Sequence, residues 1–205
     1  IKDFWLDLQK NLTRPAARND LPRSLAKVRE GSSLVSGAID GTMLRNDIYH
    51  FIRLGVFIER SDNTARHLSS RYNLFIPSEN ESVEGYPMHR FEMILDAVGV
   101  MRAYKWVNKG QIEPDRVIKF LLNDPTMPRS LIFCYHDIVR QLTALENEYG
   151  KTYEALNIAK KIQSDLAITL KETMVHDDII NFTGSFIFEN AQLSKLVEKE
   201  FKFNP

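Results

Sequence analysis

The stretch from residue 47 to residue 73 constrains the fold most, because it lacks proline and repeats its apolar side chains at α-helical spacing. At about 100° per residue, one face carries Phe51, Leu54, Phe57, Ile58, Ala65, Leu68 and Tyr72, and the adjoining face carries Ile48, Ile52, Gly55, Glu59, Asp62, Asn63 and Arg66. The pattern predicts one long helix with two faces of the buried type. The first of these faces is typical of an ordinary core.

The rest of the chain follows the same helical spacing, and no segment between turn signals alternates as a β-strand does. Further helices are expected at residues 4–12, 19–37, 87–109, 114–124, 128–149, 153–170 and 177–201. The sequence therefore predicts an all-α fold, a helical bundle of about seven or eight helices. Residues 1–205 are expected to form a single domain.

The polar part of the second face is the most unusual feature of the long helix. Glu59 and Asn63 are four residues apart, and so are Asp62 and Arg66, which brings each pair together on one side of a helix. Buried charges need partners, so we expect Glu59 to be at least partly buried and bonded to an arginine or a buried amide. Two interpretations stay open: Glu59 serves as an acid, a base or a ligand held by an arginine, or the four side chains form a network that fixes helix register.

A second strip on the same helix carries positive charge. Arg53, Arg60, His67 and Arg71 lie on the side away from Ile58. Such a strip could hold a phosphate or a carboxylate, which arginines grip through two parallel hydrogen bonds, but a solvated face has the same pattern. Further along the chain, Arg129 stands at the start of a predicted helix and could pair with an acidic group of the long helix.

Two further expectations concern packing. Gly55 lies where a side chain would otherwise project inward, so we expect another helix or loop to approach it closely and Gly55→Leu to destabilise the protein. The helices at residues 1–12 and 19–37 are expected to expose an apolar surface unless another copy covers it.

Composition and missing motifs exclude several functions. Lys plus Arg equals Asp plus Glu at 27 each, so no global field attracts nucleic acid or an anionic membrane. No apolar run approaches the ~20 residues of a membrane span, and the lone Cys134 suits a reducing cytoplasm. The sequence has no glycine-rich phosphate loop, no Gly-x-Ser-x-Gly and no Glu-x-x-His, so we expect no cofactor and no metal. Glu172 and His176, followed by Asp177 and Asp178, could still be either a mononuclear site or an ordinary helix end.

A family resemblance is carried by residues 54–66, which contain the pair Glu59-Arg60, and by residues 40–47 and 120–130 in the same order. Together these blocks resemble the bacterial alpha-E domain family, named for an all-α fold and a recurring Glu-Arg pair. The resemblance spans roughly residues 20 to 140. Because the chain begins at Ile1, within a predicted helix, we interpret it as the C-terminal part of a longer member.

The resemblance implies a function by association only, since genes of this family tend to lie beside ATP-grasp ligase-like and transglutaminase-like genes. Our leading hypothesis is a helical binding or scaffold module that works with an ATP-grasp-type ligase in forming or modifying a peptide or amide bond. The partner would be an ATP-grasp-type or transglutaminase-type protein, and a homo-oligomer is left open. The alternative is an enzyme that acts on a peptide or amide through Glu59 and a paired arginine, for which a pocket must expose Glu59. A purely structural role is the third interpretation.

Overall fold

The computed structural model describes residues 2–12, 20–73, 88–169 and 176–203, and these residues form nine helices and no strand. The helices are α1 (Lys2–Leu12), α2 (Leu21–Thr42), α3 (Asp47–Asn73), α4 (Met88–Val98), α5 (Met101–Val107), α6 (Pro114–Asn123), α7 (Leu131–Tyr149), α8 (Glu154–Thr169) and α9 (His176–Glu200). The predicted all-α bundle is thereby confirmed. None of the helices in these ranges is long and apolar enough to cross a membrane.

The ninth helix arises from a break inside the segment that we expected to form one helix at residues 87–109. Gly99 has a φ of 75°, which only glycine adopts without strain. Its amide donates to the Asp96 carbonyl at 2.9 Å, and the Val100 amide donates to the Leu95 carbonyl at 2.8 Å. This pair of bonds is a Schellman motif, and it ends α4 one turn before α5 begins.

The chain divides into two compact units, residues 1–49 and residues 50–205. In the first unit α1 lies against α2, and the ring of Phe4 covers Gly31 so closely that an added Cβ would stand 1.8 Å from it. Leu21, Leu25 and Val28 on α2 are exposed. The apolar surface that the sequence predicts on these helices is therefore present, whereas the assignment of residues 1–205 to a single domain stays a prediction.

The second unit holds the main core. In it α7 lies against α6 and α8, α8 lies against α9, and α4 lies against α5 and α6. The helix α3 contributes Leu54, Phe57, Ala65 and Leu68, all of them buried, as the first face of the predicted helix requires. One of the two faces of α3 is thus packed in the core. The adjoining face is left to form the candidate site.

The turn before α7 is held rigidly. The Ser130 hydroxyl donates to the Asp124 carbonyl at 2.6 Å and accepts the Phe133 amide at 3.2 Å, which makes Ser130 the N-cap of α7. On the α3 side, the Thr64 hydroxyl donates to the Arg129 carbonyl at 2.9 Å. The turn at residues 124–130 is therefore tied both to α7 and to α3.

Candidate functional site

A groove of about 650 Å³ lies between α3 and α9 in the second unit. Its lining residues on α3 are Phe51, Leu54, Gly55, Ile58, Glu59, Asp62 and Arg66, and those of α9 and the residues after it are Asn190, Ala191, Ser194, Lys195, Val197, Glu198 and Phe203. Ligand pockets in proteins usually measure about 300 to 1,000 Å³. The groove is therefore large enough to hold a ligand.

The two helices run in opposite directions, so the start of α3 lies beside the end of α9. The two ends of the groove differ in polarity. Phe51 lies edge-on to Phe201 and Phe203, with ring centroids 4.9 Å and 5.0 Å apart. At the other end, about two and three helical turns beyond Phe51 on α3, Ile58 and Ser61 meet Asn190. One end is thus aromatic and apolar, whereas the other brings charged groups of α3 next to a buried amide.

The floor of the polar end is a fully buried hydrogen-bond network. The Asn190 amide donates to the Ile58 carbonyl at 3.1 Å, and its oxygen accepts the Ser61 hydroxyl at 3.2 Å and the Tyr135 hydroxyl at 2.9 Å. Burial raises the pKa of Tyr135 and keeps the hydroxyl protonated as a donor. The network joins α3, α7 and α9, and buried polar groups satisfied in this way hold helices in register.

Glu59 lies at the polar end and is exposed, contrary to the expectation of partial burial. Its carboxylate accepts a hydrogen bond from the Asn63 side chain, so the predicted pair four residues apart forms. Asn63 is itself exposed and is not a buried amide. The reason is that the second face of α3 borders an open groove here, so α9 does not cover Glu59.

Asp62 and Arg66 also form their predicted pair. The Arg66 Nε donates to Asp62 Oδ2 at 2.6 Å, and this hydrogen bond raises the pKa of Arg66. The two side chains are 27% and 59% exposed respectively, and such surface pairs contribute only about 0.2 to 1 kcal/mol. Because Arg66 is engaged with Asp62, it is not the arginine that holds Glu59.

Gly55 corrects a second expectation. It is exposed, lines the groove, and no described atom lies within 4 Å of the position that a Cβ would take. The predicted close approach of another helix is therefore wrong, because the space beside Gly55 is the groove itself. A side chain added here would project into the groove and meet no backbone.

Arg60 follows Glu59 in sequence but serves another part of the molecule. Its Nη1 donates to the Pro128 carbonyl at 3.1 Å, and its guanidinium carbon stands 4.9 Å from the centre of the Phe57 ring. Burial is the first cause of a lowered pKa for this group. Arg60 thus fastens α3 to the turn before α7, while Glu59 borders the groove.

The remaining predicted residues lie outside the groove. Arg129 is exposed, and it reaches α3 through its carbonyl and Thr64; within the described ranges no carboxylate forms an ion pair with it, so the expected acidic partner on α3 is not found. The guanidinium carbon of Arg53 stands 4.7 Å from the Phe57 ring centre. His67 is half-buried and away from the groove. The side chain of Arg71 lies outside the described residues.

Metal and thiol chemistry find little support in the described part of the chain. Nowhere within it do three His, Cys, Asp or Glu side chains gather closely enough to hold a metal ion. Of the cluster at the start of the last helix, Glu172 and the side chains of His176 and Asp177 lie outside that part. Burial raises the pKa of the Cys134 thiol to about 12, so this cysteine stays protonated near neutral pH and is a poor nucleophile.

The comparison with protein families matches residues 1–201 to Alpha-E, described as a predicted alpha-helical domain with a conserved ER motif. The chain belongs to this family. Glu59-Arg60 is the only Glu-Arg dipeptide in the sequence, so it is the motif of this Alpha-E chain. Comparisons with curated proteins and with solved structures find no match.

The residues that α9 contributes to the site were missed from the sequence. Asn190 was the one with a visible signal, because it interrupts the apolar stripe of Phe186, Leu193 and Val197 at a buried position. A polar residue in such a stripe indicates a buried hydrogen-bond partner. Ser194, Lys195 and Glu198 are exposed polar residues on a helix, and nothing in the sequence separates them from an ordinary solvated face.

Proposed function

We propose that this Alpha-E chain is a binding module whose groove between α3 and α9 holds a segment of a peptide. The observation that carries the proposal is the exposure of Glu59 and Gly55 in a groove of about 650 Å³. The aromatic end, at Phe51 and Phe203, offers contact to an apolar side chain. The polar end offers Glu59 as an acceptor for a peptide amide or an ammonium group.

The module would work with an ATP-grasp-type ligase, or with a transglutaminase-type protein, in forming or modifying a peptide or amide bond in the cytoplasm. The support for this partner is the resemblance described above, together with membership of the Alpha-E family. In this arrangement the ligase activates a carboxyl group. The helical module holds the peptide that carries this carboxyl group or the peptide that is joined to it.

Binding accounts for the groove better than catalysis does. Its described lining includes one hydroxyl, that of Ser194, and neither histidine nor cysteine. Activation of a serine requires a base within hydrogen-bond reach, and the carboxylate of Glu59 is bonded to Asn63. Glu59 therefore fits the role of a binding group.

The exposure of Glu59 also favours a second candidate, an enzyme in which Glu59 acts as general acid or base on a peptide or amide. An enzyme of this kind needs its carboxylate in a pocket that substrate can enter. Glu59→Gln separates the two candidates. Loss of chemical turnover with unchanged peptide affinity would favour the enzyme, whereas weakened peptide binding would favour the module.

The binding proposal is tested by filling the groove. Gly55→Leu places a side chain into it, and this variant should bind the ligase's peptide substrate more weakly and lose co-elution with an ATP-grasp-type ligase that carries this peptide, while keeping the parent's helical circular dichroism. Gly184→Leu is the matched control, because Gly184 is another exposed helical glycine with no described atom within 4 Å and does not line the groove. Equal peptide binding by both variants would refute the assignment of the groove.

A further inference from the structure

The guanidinium of Arg60 is half-buried, and no described residue places an opposite charge at contact distance from it. Its one hydrogen bond goes to the neutral carbonyl of Pro128, at 3.1 Å. In the described ranges no carboxylate forms an ion pair with it. A charge taken partly out of water is normally compensated by an opposite charge. The surroundings of Arg60 therefore favour an anion that the described residues do not supply.

Two further cations surround the same spot. The guanidinium carbon of Arg53 stands 4.7 Å from the centre of the Phe57 ring, and that of Arg60 stands 4.9 Å from it, so both cations lie against one aromatic side chain. Arg129 directly follows Pro128, the residue that Arg60 binds, and its backbone is fixed by Thr64 at 2.9 Å. Arg53 and Arg60 of α3 thus share one aromatic ring, and Arg129 belongs to the turn to which Arg60 is bonded.

The electrostatic state of Arg60 agrees with this geometry. Burial lowers the pKa of Arg60 first, and the positive charges of Arg129 and Arg53 lower it further, whereas the carboxylate of Glu59 raises it. Like charges held close together repel one another. A bound anion would remove that repulsion.

We propose that Arg53, Arg60 and Arg129 form a binding site for a phosphate group. A guanidinium presents its N–H donors in a planar fork that matches two oxygens of an oxyanion. A phosphate dianion has enough charge and enough oxygens to engage several such forks, whereas one carboxylate has a single charge and two oxygens. None of the three arginines lines the groove of α3 and α9, so the phosphate would occupy a different place from the proposed peptide.

Inorganic phosphate is the probe, titrated into the full 205-residue chain by calorimetry at constant ionic strength. We expect saturable binding with a roughly millimolar dissociation constant. Arg129→Gln should weaken it about tenfold, as the loss of one charge-assisted contact does. Because the Arg129 side chain is exposed and its carbonyl makes the contact to Thr64, this variant keeps the fold. Arg66→Gln is the matched control, since it removes an exposed arginine of α3 that is paired with Asp62.

Arg60→Lys is a second test, because it retains the positive charge and removes the planar fork of N–H donors. This variant should also weaken phosphate binding. Acetate at equal ionic strength should compete only weakly with phosphate for the site. Three results would each overturn the proposal: no saturable phosphate binding by the parent, equal losses in Arg129→Gln and Arg66→Gln, or competition by acetate as strong as that by phosphate itself.

Discussion

Asn190→Ala is the change that tests most directly whether the buried network holds the groove together. The Asn190 side chain is 1% exposed and makes three hydrogen bonds, to Ile58, Ser61 and Tyr135. The single hydrogen of the Ser61 hydroxyl can reach either the Asn190 oxygen or the Ile58 carbonyl, which is 2.9 Å away, so after the removal of Asn190 it donates to the carbonyl. The Tyr135 hydroxyl keeps no hydrogen-bond partner among the described residues.

The size of the effect follows from these groups. A buried hydroxyl left without a partner costs about 1 to 3 kcal/mol, and the lost bond to Ile58 adds about 1 kcal/mol. We therefore expect Asn190→Ala to lower the free energy of unfolding by about 2 to 4 kcal/mol. Tyr135→Phe should cost less, about 1 kcal/mol, because the Asn190 oxygen keeps its bond to Ser61.

The assay is urea unfolding, monitored by far-ultraviolet circular dichroism. The free energies of unfolding of both single variants and of the double variant are compared with that of the parent, with equal m-values as the condition. Because the two singles remove the same hydrogen bond, the double variant should cost less than the sum of the singles. Additive losses would show that the Tyr135–Asn190 bond contributes nothing. A loss below about 0.5 kcal/mol for Asn190→Ala, the range of ordinary surface changes, would refute the network as a stabilising element.

The remaining predictions concern a pair of glycines and the buried thiol. Gly99→Ala should destabilise the protein by about 1 kcal/mol because the φ of this residue is positive. Gly55→Ala should stabilise the protein by up to about 1 kcal/mol because Gly55 lies in an open helical position. Equal shifts in Tm for the two variants would contradict this. The pKa of Cys134 is raised from 9.0 to about 12, so the folded state keeps a proton that the unfolded state loses. Its contribution is complete below pH 9 and falls as the pH rises towards 12. The urea midpoint of Cys134→Ala should therefore fall less over that range than that of the parent, and an identical slope would argue against burial of the thiol.

The first face of α3 could be predicted from sequence because helical spacing reports directly which side chains share a side. Leu54, Phe57, Ala65 and Leu68 are buried as expected. The break at Gly99 was missed, although a glycine followed by an apolar residue is an ordinary helix stop. A single glycine inside an apolar repeat is also tolerated in helices, so the pattern alone did not decide between a kink and an end.

The second face of α3 shows where periodicity stops being informative. The sequence indicates that Gly55, Glu59 and Asp62 share a side, and they do, since all three line the groove. It contains nothing about what stands opposite, because α9 lies far away in the chain. The spacing of polar residues along α3 is the same whether they face an open groove or lie inside a buried network. Only the structure, which places Asn190 of α9 beside Ile58, distinguishes the two cases.

The Glu-Arg motif acquires a physical meaning from the geometry of one helical step. Adjacent residues on a helix point about 100° apart, so Glu59 borders the groove while Arg60 reaches the Pro128 carbonyl at the turn before α7. A shift of α3 along its axis, or a rotation about it, would break the Arg60 contact and move Glu59 relative to Asn190 at once. The arginine of the pair therefore positions the carboxylate through the backbone of α3, without touching it across space. Arg60→Gln should accordingly weaken binding in the groove although Arg60 does not line it, and Arg66→Gln, which removes a lining residue held only by Asp62, should do so less.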